Sequence, residues 1–291
     1  MMLWMRIAAT LFIAMPTPSL GAAILSESQQ RALASWYDAL ATTPPNETFG
    51  ELLVRAAAVQ LGKPYALAPE PRPPDARDAL FVRFAAFECV SLVETSLAVA
   101  RCVWRQQQNA ACFVRALETS RYRGGIRRDY TSRLHYFADW LEDNASRARL
   151  IDLTQALGGT PRNVHFSYMS DRPARYPPLQ SPPTWQAMRA IEKRLSRRPV
   201  WVLGQNALAE GIPSLRDGDI IAVATKAKPG LLVTHVGLAL HHGDAVHLLH
   251  ASSSASKVVV SRETLQNYVK KNAQRIGVVV ARPLPPPHPY R

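Results

Sequence analysis

Apolar residues recur at helical spacing near the start of the chain, at Leu33, Trp36, Tyr37 and Leu40 and again at Leu52, Leu53, Ala56 and Val59. This spacing predicts two helices within residues 26–61, with Pro44 and Pro45 as the break between them. The same period over 89–104, with Cys89, Val93, Leu97 and Ala100 near one face, predicts another helix, and 132–144 fits a further one. After Asp217 the pattern turns extended. Residues 220–224, 232–240, 245–250, 257–261 and 276–281 read as strands, and His242-Gly243-Asp244 is a turn signal between the second and third. Proline-rich stretches at 69–75 and 173–183 read as surface loops, and 283–289 as an extended tail that cannot join a sheet. Helices first and antiparallel strands second predict an α+β fold, and no internal repeat is visible.

Residues 1–23 have the makings of a secretory signal. Arg6 precedes the apolar run 7–15, two prolines break it, and Ser19, Gly21, Ala22 and Ala23 offer small residues for cleavage. The run is shorter than the ~20 apolar residues that span a bilayer, so a removable signal is favoured over an anchor. No cysteine follows it to take a lipid. The expectation is a protein exported across the inner membrane to the periplasm, without a stable membrane anchor. Its mature part, 24–291, reads as one domain ending in the proline-rich tail 283–291.

A hydrophobic content of 47% is enough for a globular core. The formal net charge is +13. Its basic residues are scattered with no aromatic-basic repeat, which argues against a nucleic-acid partner. In an exported protein the charge suits anionic wall polymer, although an arginine-rich composition alone accounts for it equally well. There are three cysteines. Cys102 and Cys112 flank the polar stretch Gln106-Gln107-Gln108-Asn109, which could turn the chain and pair them, leaving Cys89 as the odd thiol of an oxidising compartment.

Cys89 stands where an extended segment enters a helix, in Phe87-Glu88-Cys89-Val90-Ser91-Leu92-Val93-Glu94. A helix start concentrates unpaired N–H groups and positive potential. Both favour a thiolate, and the same N–H groups can hold an oxyanion. The competing reading is a buried structural cysteine. In the strand Thr234-His235-Val236-Gly237-Leu238-Ala239-Leu240, His235 shares a face with Gly237 and Ala239, whose small size leaves room beside the imidazole. The next strand ends His250-Ala251-Ser252, and a hairpin would bring it beside His235, where a polar partner could fix the tautomer of a base. His247 competes with His250 for that role, but residues three apart face opposite sides of a strand. That parity also weakens a metal site built from His241, His242, His247 and His250. No His-Glu-x-x-His pair or zinc-spaced cysteine pair occurs, so neither metal nor organic cofactor is expected.

Taken in order, Leu61-Gly62-Lys63-Pro64-Tyr65, Phe87-Glu88-Cys89-Val90-Ser91-Leu92-Val93, Asp217-Gly218-Asp219-Ile220, Thr234-His235-Val236-Gly237 and His250-Ala251-Ser252 resemble the NlpC/P60 cysteine-hydrolase superfamily. The resemblance implies a papain-like α+β fold, with the helical half packed on an antiparallel sheet or barrel. It implies Cys89 as nucleophile, His235 as base, His250 as the third polar residue and Tyr65 as a tyrosine near the cysteine. A second set, Arg121-Tyr122-Arg123-Gly124-Gly125 and Tyr130 to Phe137 with Trp140, resembles the N-acetylmuramoyl-L-alanine amidase-like branch. That branch cleaves the amide joining the lactyl group of muramic acid to L-alanine. Two departures stand out: Glu88-Cys89-Val90-Ser91 replaces the superfamily's usual Asp-Cys-Ser-Gly, and the insertion between Tyr65 and Cys89 is long.

The implied partners are peptidoglycan or muropeptides. Arg123, His135, Tyr136 and Arg133 are candidates to line the substrate cleft, with arginine suited to stem-peptide carboxylates, and Thr234 and Ser252 are candidate contacts beside the histidines. His135, Tyr136, Phe137 and Trp140 at helical spacing would equally serve as core. Competing activities are a γ-D-glutamyl-diamino acid endopeptidase on stem peptides and a non-catalytic wall-binding module.

Overall fold

The structure, a computed structural model, describes residues 25–67 and 78–287. The predicted signal segment and the proline-rich loop at 69–75 lie outside the described residues. Within them the chain forms α1 (Glu27–Asp38), α2 (Phe49–Ala58), α3 (Cys89–Trp104), α4 (Ala110–Arg121) and α5 (Phe137–Ser146). Then come β1 (Leu150–Asp152), β2 (Thr160–Arg162), α6 (Pro182–Leu195), β3 (Val200–Gly204) and α7 (Gln205–Gly211). The last stretch is β4 (Ile220–Thr225), β5 (Val233–His242), β6 (Ala245–Ser252), β7 (Lys257–Val260), α8 (Leu265–Lys270) and β8 (Arg275–Pro283). The strands lie in the order β2-β3-β8-β4-β5-β6-β7 with β1 beside β8, and every pairing is antiparallel. The class is α+β.

Side chains from the two faces of this sheet enter two cores. Ile220, Ala222 and Ala224 of β4, with Val236 and Leu238 of β5, pack toward the large helical layer that includes α2 and α3. Ile221, Ala239, Leu248, Val278 and Val280 pack the other way, against Leu208 of α7 and Leu265 and Val269 of α8. Burial on both faces is why β4 reads as an unbroken apolar run. The central helix is α3, in which every residue from Leu92 to Val103 is buried. At about 1.5–3 kcal/mol for each large aliphatic side chain removed from water, its Leu92, Val93, Leu97 and Val99 fix α3 firmly against the sheet. Sequence-local signals set the helix starts. Ser26 with Gln29 and Thr48 with Glu51 form capping boxes on α1 and α2.

The five predicted strands are present. The turn between β5 and β6 falls at His242-Gly243-Asp244, with Gly243 at φ 60°. Three expectations need correction. The helix predicted over 132–144 begins at Phe137, because Asp129 caps a short 3-10 turn, Tyr130–Ser132, and the chain then runs extended to Tyr136. The proline-rich stretch 173–183 is two 3-10 turns, and Pro182 and Pro183 open α6, where a missing N–H costs nothing. The C-terminal tail does meet the sheet at its start. Pro283 ends β8 opposite Leu150, and the Leu284 N–H donates to the Arg149 carbonyl.

Cys102 and Cys112 form a disulfide, with Cα atoms 5.9 Å apart, that ties the end of α3 to the start of α4. Among the described residues Cys89 is the free cysteine. No helix among them is long and apolar enough to cross a membrane.

Candidate active site

Glu88 is the N-cap of α3, extended at φ −101° and ψ 173°, and the helix starts at Cys89. The Glu88 carboxylate accepts from the Val90 N–H at 2.9 Å and the Ser91 N–H at 2.7 Å, while Ser91 Oγ accepts from the Glu88 N–H at 3.0 Å. Among the described residues the Cys89 amide has no acceptor, which leaves it as an open donor of this helix start. Tyr65 arrives from the other side. Its segment pairs with the strand-like entry to α3, the Phe87 N–H donating to the Pro64 carbonyl and the Ala66 N–H to that of Phe87. The Tyr65 hydroxyl pKa is raised by burial, then by the Cys89 and Glu88 groups.

The Cys89 thiol pKa is pushed up to about 12, first by burial, then by the charge of the Glu88 carboxylate and a hydrogen bond to it. The Val236 and Val90 amides act on the sulfur in the opposite direction and are outweighed. A helix start was expected to favour the thiolate. Here a carboxylate occupies that start, and burial with negative charge overrides the dipole. The resting group is a neutral thiol.

The Val236 amide that meets the sulfur belongs to the residue after His235. Across the β5–β6 hairpin, His235 Nε2 and His250 Nδ1 are 2.6 Å apart, with the rings edge to face at 4.8 Å between centroids. The register Leu238↔Leu249 sets Gly237 opposite His250, and a Cβ on Gly237 would stand 2.9 Å from the His250 Cβ and 2.8 Å from the Leu249 carbonyl oxygen. The space expected beside the base is therefore filled by its partner imidazole. His247 faces the other side of β6, its Nδ1 at 2.9 Å from the Ser261 carbonyl. His241 pairs with Asp217 at 2.8 Å. His241 and His247 are thus engaged away from the His235–His250 pair, and among the described residues no three His, Cys, Asp or Glu side chains are grouped to hold a metal.

Burial, then His250, then Arg275 push the His235 pKa down to about 3; burial and Arg275 push His250 to about 4. Both rings are neutral near pH 7. Among the described residues no hydrogen bond joins the Cys89 thiol to the His235 ring. Tyr268 of α8 completes the wall, its ring 5.4 Å from that of His250 and 6.2 Å from that of His235. Nothing in the short segment Leu265-Gln266-Asn267-Tyr268 marks this tyrosine in the sequence; only the return of α8 to the sheet brings it in.

The remaining candidates divide. Thr234 is exposed next to His235. Ser252 is buried, and its hydroxyl accepts from the Ala255 N–H at 3.1 Å and meets Ser254 Oγ at 3.0 Å, holding the turn after β6. Three residues offered as cleft contacts are corrected. Both Nη atoms of Arg123 are engaged by Asp139 at 2.8 and 2.7 Å, so its fork is closed to a substrate carboxylate. Tyr136 is 2% exposed, with its hydroxyl donating to Glu192 at 2.6 Å, and belongs to the core. His135 Nε2 lies 2.9 Å from the Tyr130 carbonyl, and burial and Arg133 depress its pKa to about 3. Arg133 differs. It lies with Glu88, Ser91 and Thr95 along one small recess, and Glu94, Asp78 and Glu88 all act on its charge.

Residues 55–278 match the model of a family described as AmiA-like, N-acetylmuramoyl-L-alanine amidase-like. Among solved structures, an N-acetylmuramoyl-L-alanine amidase from Bacteroides uniformis is 34% identical, with a TM-score of 0.75 over 81% of this chain and 99% of that one. A Bacteroides fragilis protein described provisionally as a xylanase is 35% identical, with a TM-score of 0.71 over 78% and 98%. A Legionella pneumophila protein shares the fold at 20% identity, with a TM-score of 0.69 over 91% and 97%. No curated protein matches the chain.

Proposed function

Because the chain belongs to the N-acetylmuramoyl-L-alanine amidase-like family, we propose that it hydrolyses the amide between the lactyl group of N-acetylmuramic acid and L-alanine, in peptidoglycan or its fragments, with Cys89 as nucleophile. The observation that carries this reading is local. The sulfur of a cysteine opening a helix rests against the Val236 amide, and the imidazole one residue away is held at 2.6 Å by a second imidazole.

Chemistry follows from those positions. We assign the hydrogen of this contact to His235 Nε2, donating to His250 Nδ1, which leaves the Nδ1 lone pair of His235 as the proton acceptor. When substrate enters, the thiol turns from Glu88 toward that lone pair. The S–H proton moves to His235 as sulfur bonds the carbonyl carbon, and the Cys89 N–H receives the developing oxyanion. His235 then gives its proton to the nitrogen of L-alanine, the C–N bond breaks and the peptide leaves. Water next loses a proton to His235 and bonds the acyl carbon, and the C–S bond breaks with the proton returned to sulfur. Thr234 and Tyr65 border this path.

The same reading takes the fold as papain-like and the chain as a member of the NlpC/P60 superfamily. It takes residues 1–23 as a signal and 24–291 as one domain acting in the periplasm. The Cys102–Cys112 disulfide supports an oxidising compartment. Mass spectrometry of digested muropeptides tests the activity. Wild-type protein should free peptides that begin with L-alanine, and Cys89→Ala protein should free none. Fragments that begin at the diamino acid would indicate γ-D-glutamyl cleavage and end this reading.

A further inference from the structure

The far end of α3 carries a second polar centre. From Cys89 to Arg101 the helix axis advances about 18 Å. There a cavity of about 480 Å³ opens between α3, α4 and the segment before β1, lined by Arg101, Arg105, Arg115 and Arg149 together with Asn109 and Thr119. Among the described residues no Asp or Glu lines it. Arg101 is 5% exposed. It donates one Nη2 hydrogen bond, to the Arg149 carbonyl at 2.8 Å, and its Nε has no acceptor. The Nε and Nη2 of Arg149 are likewise buried without an acceptor.

Buried donors on a cation are costly to leave unmatched, and protein interiors ordinarily supply a carboxylate. Here the neighbours of Arg101 are cations, Arg149, Arg105 and Arg147, which with burial lower its pKa to about 9. The nearby Asp143 is already bound to Arg147 at 2.8 Å. Phe49 offers Arg101 only a ring face, at 5.6 Å.

We infer that the cavity between α3 and α4 is a binding site for a phosphoryl ligand, received by the Arg101 and Arg149 guanidinium groups at its base and by Arg105 and Arg115 at its rim. Four guanidinium groups without a carboxylate call for a multiply charged oxyanion rather than one carboxylate, and their planar forks match phosphate oxygens two at a time. The site is separate from Cys89, so it neither needs nor tests the hydrolase reading.

Isothermal titration of the full mature chain with sodium pyrophosphate, and separately with sodium phosphate, tests this against sodium acetate at matched ionic strength. One saturable pyrophosphate site per chain is expected, undiminished in Cys89→Ala protein. The rim variant Arg105→Ser/Arg115→Ser should weaken it at least tenfold with an unchanged circular dichroism spectrum, and Arg101→Gln should do so more strongly if it folds. Glucosamine 1-phosphate binding more tightly than phosphate would assign the group to a phosphorylated sugar; weaker binding would assign it to the free ion. Absence of saturable binding by both phosphate and pyrophosphate, or pyrophosphate binding unaltered in the rim variant, would overturn the inference.

Discussion

His235 Nε2 lies 2.6 Å from His250 Nδ1, and this contact spends one ring nitrogen of His235 to orient the other. Replacing His250 with Ala should lower kcat on the order of a hundredfold, the low end of what a positioned base contributes, with little change in KM. His250→Asn can still accept through its amide oxygen and should recover part of the loss. Equal kcat in Ala and Asn variants of intact fold would show that His250 does not act through His235.

Proton balance at the site sets two pH responses. His235 must be neutral to accept a proton, and its pKa is pushed down to about 3 while the Cys89 thiol is pushed up to about 12. Turnover should therefore be flat through the neutral range and fall only when acid protonates His235. Stability has the same sign. Unfolded histidine takes up its proton near pH 6.5, whereas folded His235 and His135 hold out to about 3. The unfolded state thus binds more protons below 6.5, and stability present above that pH is progressively lost as pH falls toward 3. Urea midpoints at pH 7.5 and 4.5 should show the drop, and equal midpoints would refute it.

Glu88 should keep the thiol quiet. After burial, its carboxylate does most to raise the Cys89 pKa, so alkylation by iodoacetamide should be slow at neutral pH and accelerate toward alkaline pH. Glu88→Gln removes the charge while keeping an oxygen that can cap α3, and should increase the alkylation rate at pH 8 several-fold. An unchanged rate would mean that burial alone suppresses the thiol.

The Cys102–Cys112 bridge closes a short loop between two buried helices. Cys102→Ser/Cys112→Ser protein should lose about 3 kcal/mol in denaturant titration, by the loop-entropy estimate. Hydrolysis by the surviving folded fraction should persist, because Cys89 lies at the other end of α3.

Strand periodicity made the second half of the fold legible. β4 to β8 have alternating or fully buried patterns long enough to place their boundaries within about two residues. Parity on β6 was also enough to separate His250, which meets His235, from His247, which meets the Ser261 carbonyl. What escaped has physical reasons. β1 and β2 are three residues each, too short for a period, and α6 is hidden behind the prolines that open it. The effect of Glu88 could not be judged without knowing that its carboxylate folds back on the helix start beside the sulfur. Arg123 and Arg133 look alike in sequence. They differ because Asp139, in the first turn of α5, closes on the first.

Intact-protein mass spectrometry of the enzyme quenched during turnover of a muropeptide addresses the nucleophile directly. A covalent adduct equal to the N-acetylmuramoyl acyl group, mapped to Cys89 and absent from Cys89→Ala protein, is the predicted result. Continued release of L-alanine peptides by Cys89→Ala protein at the wild-type rate would contradict it.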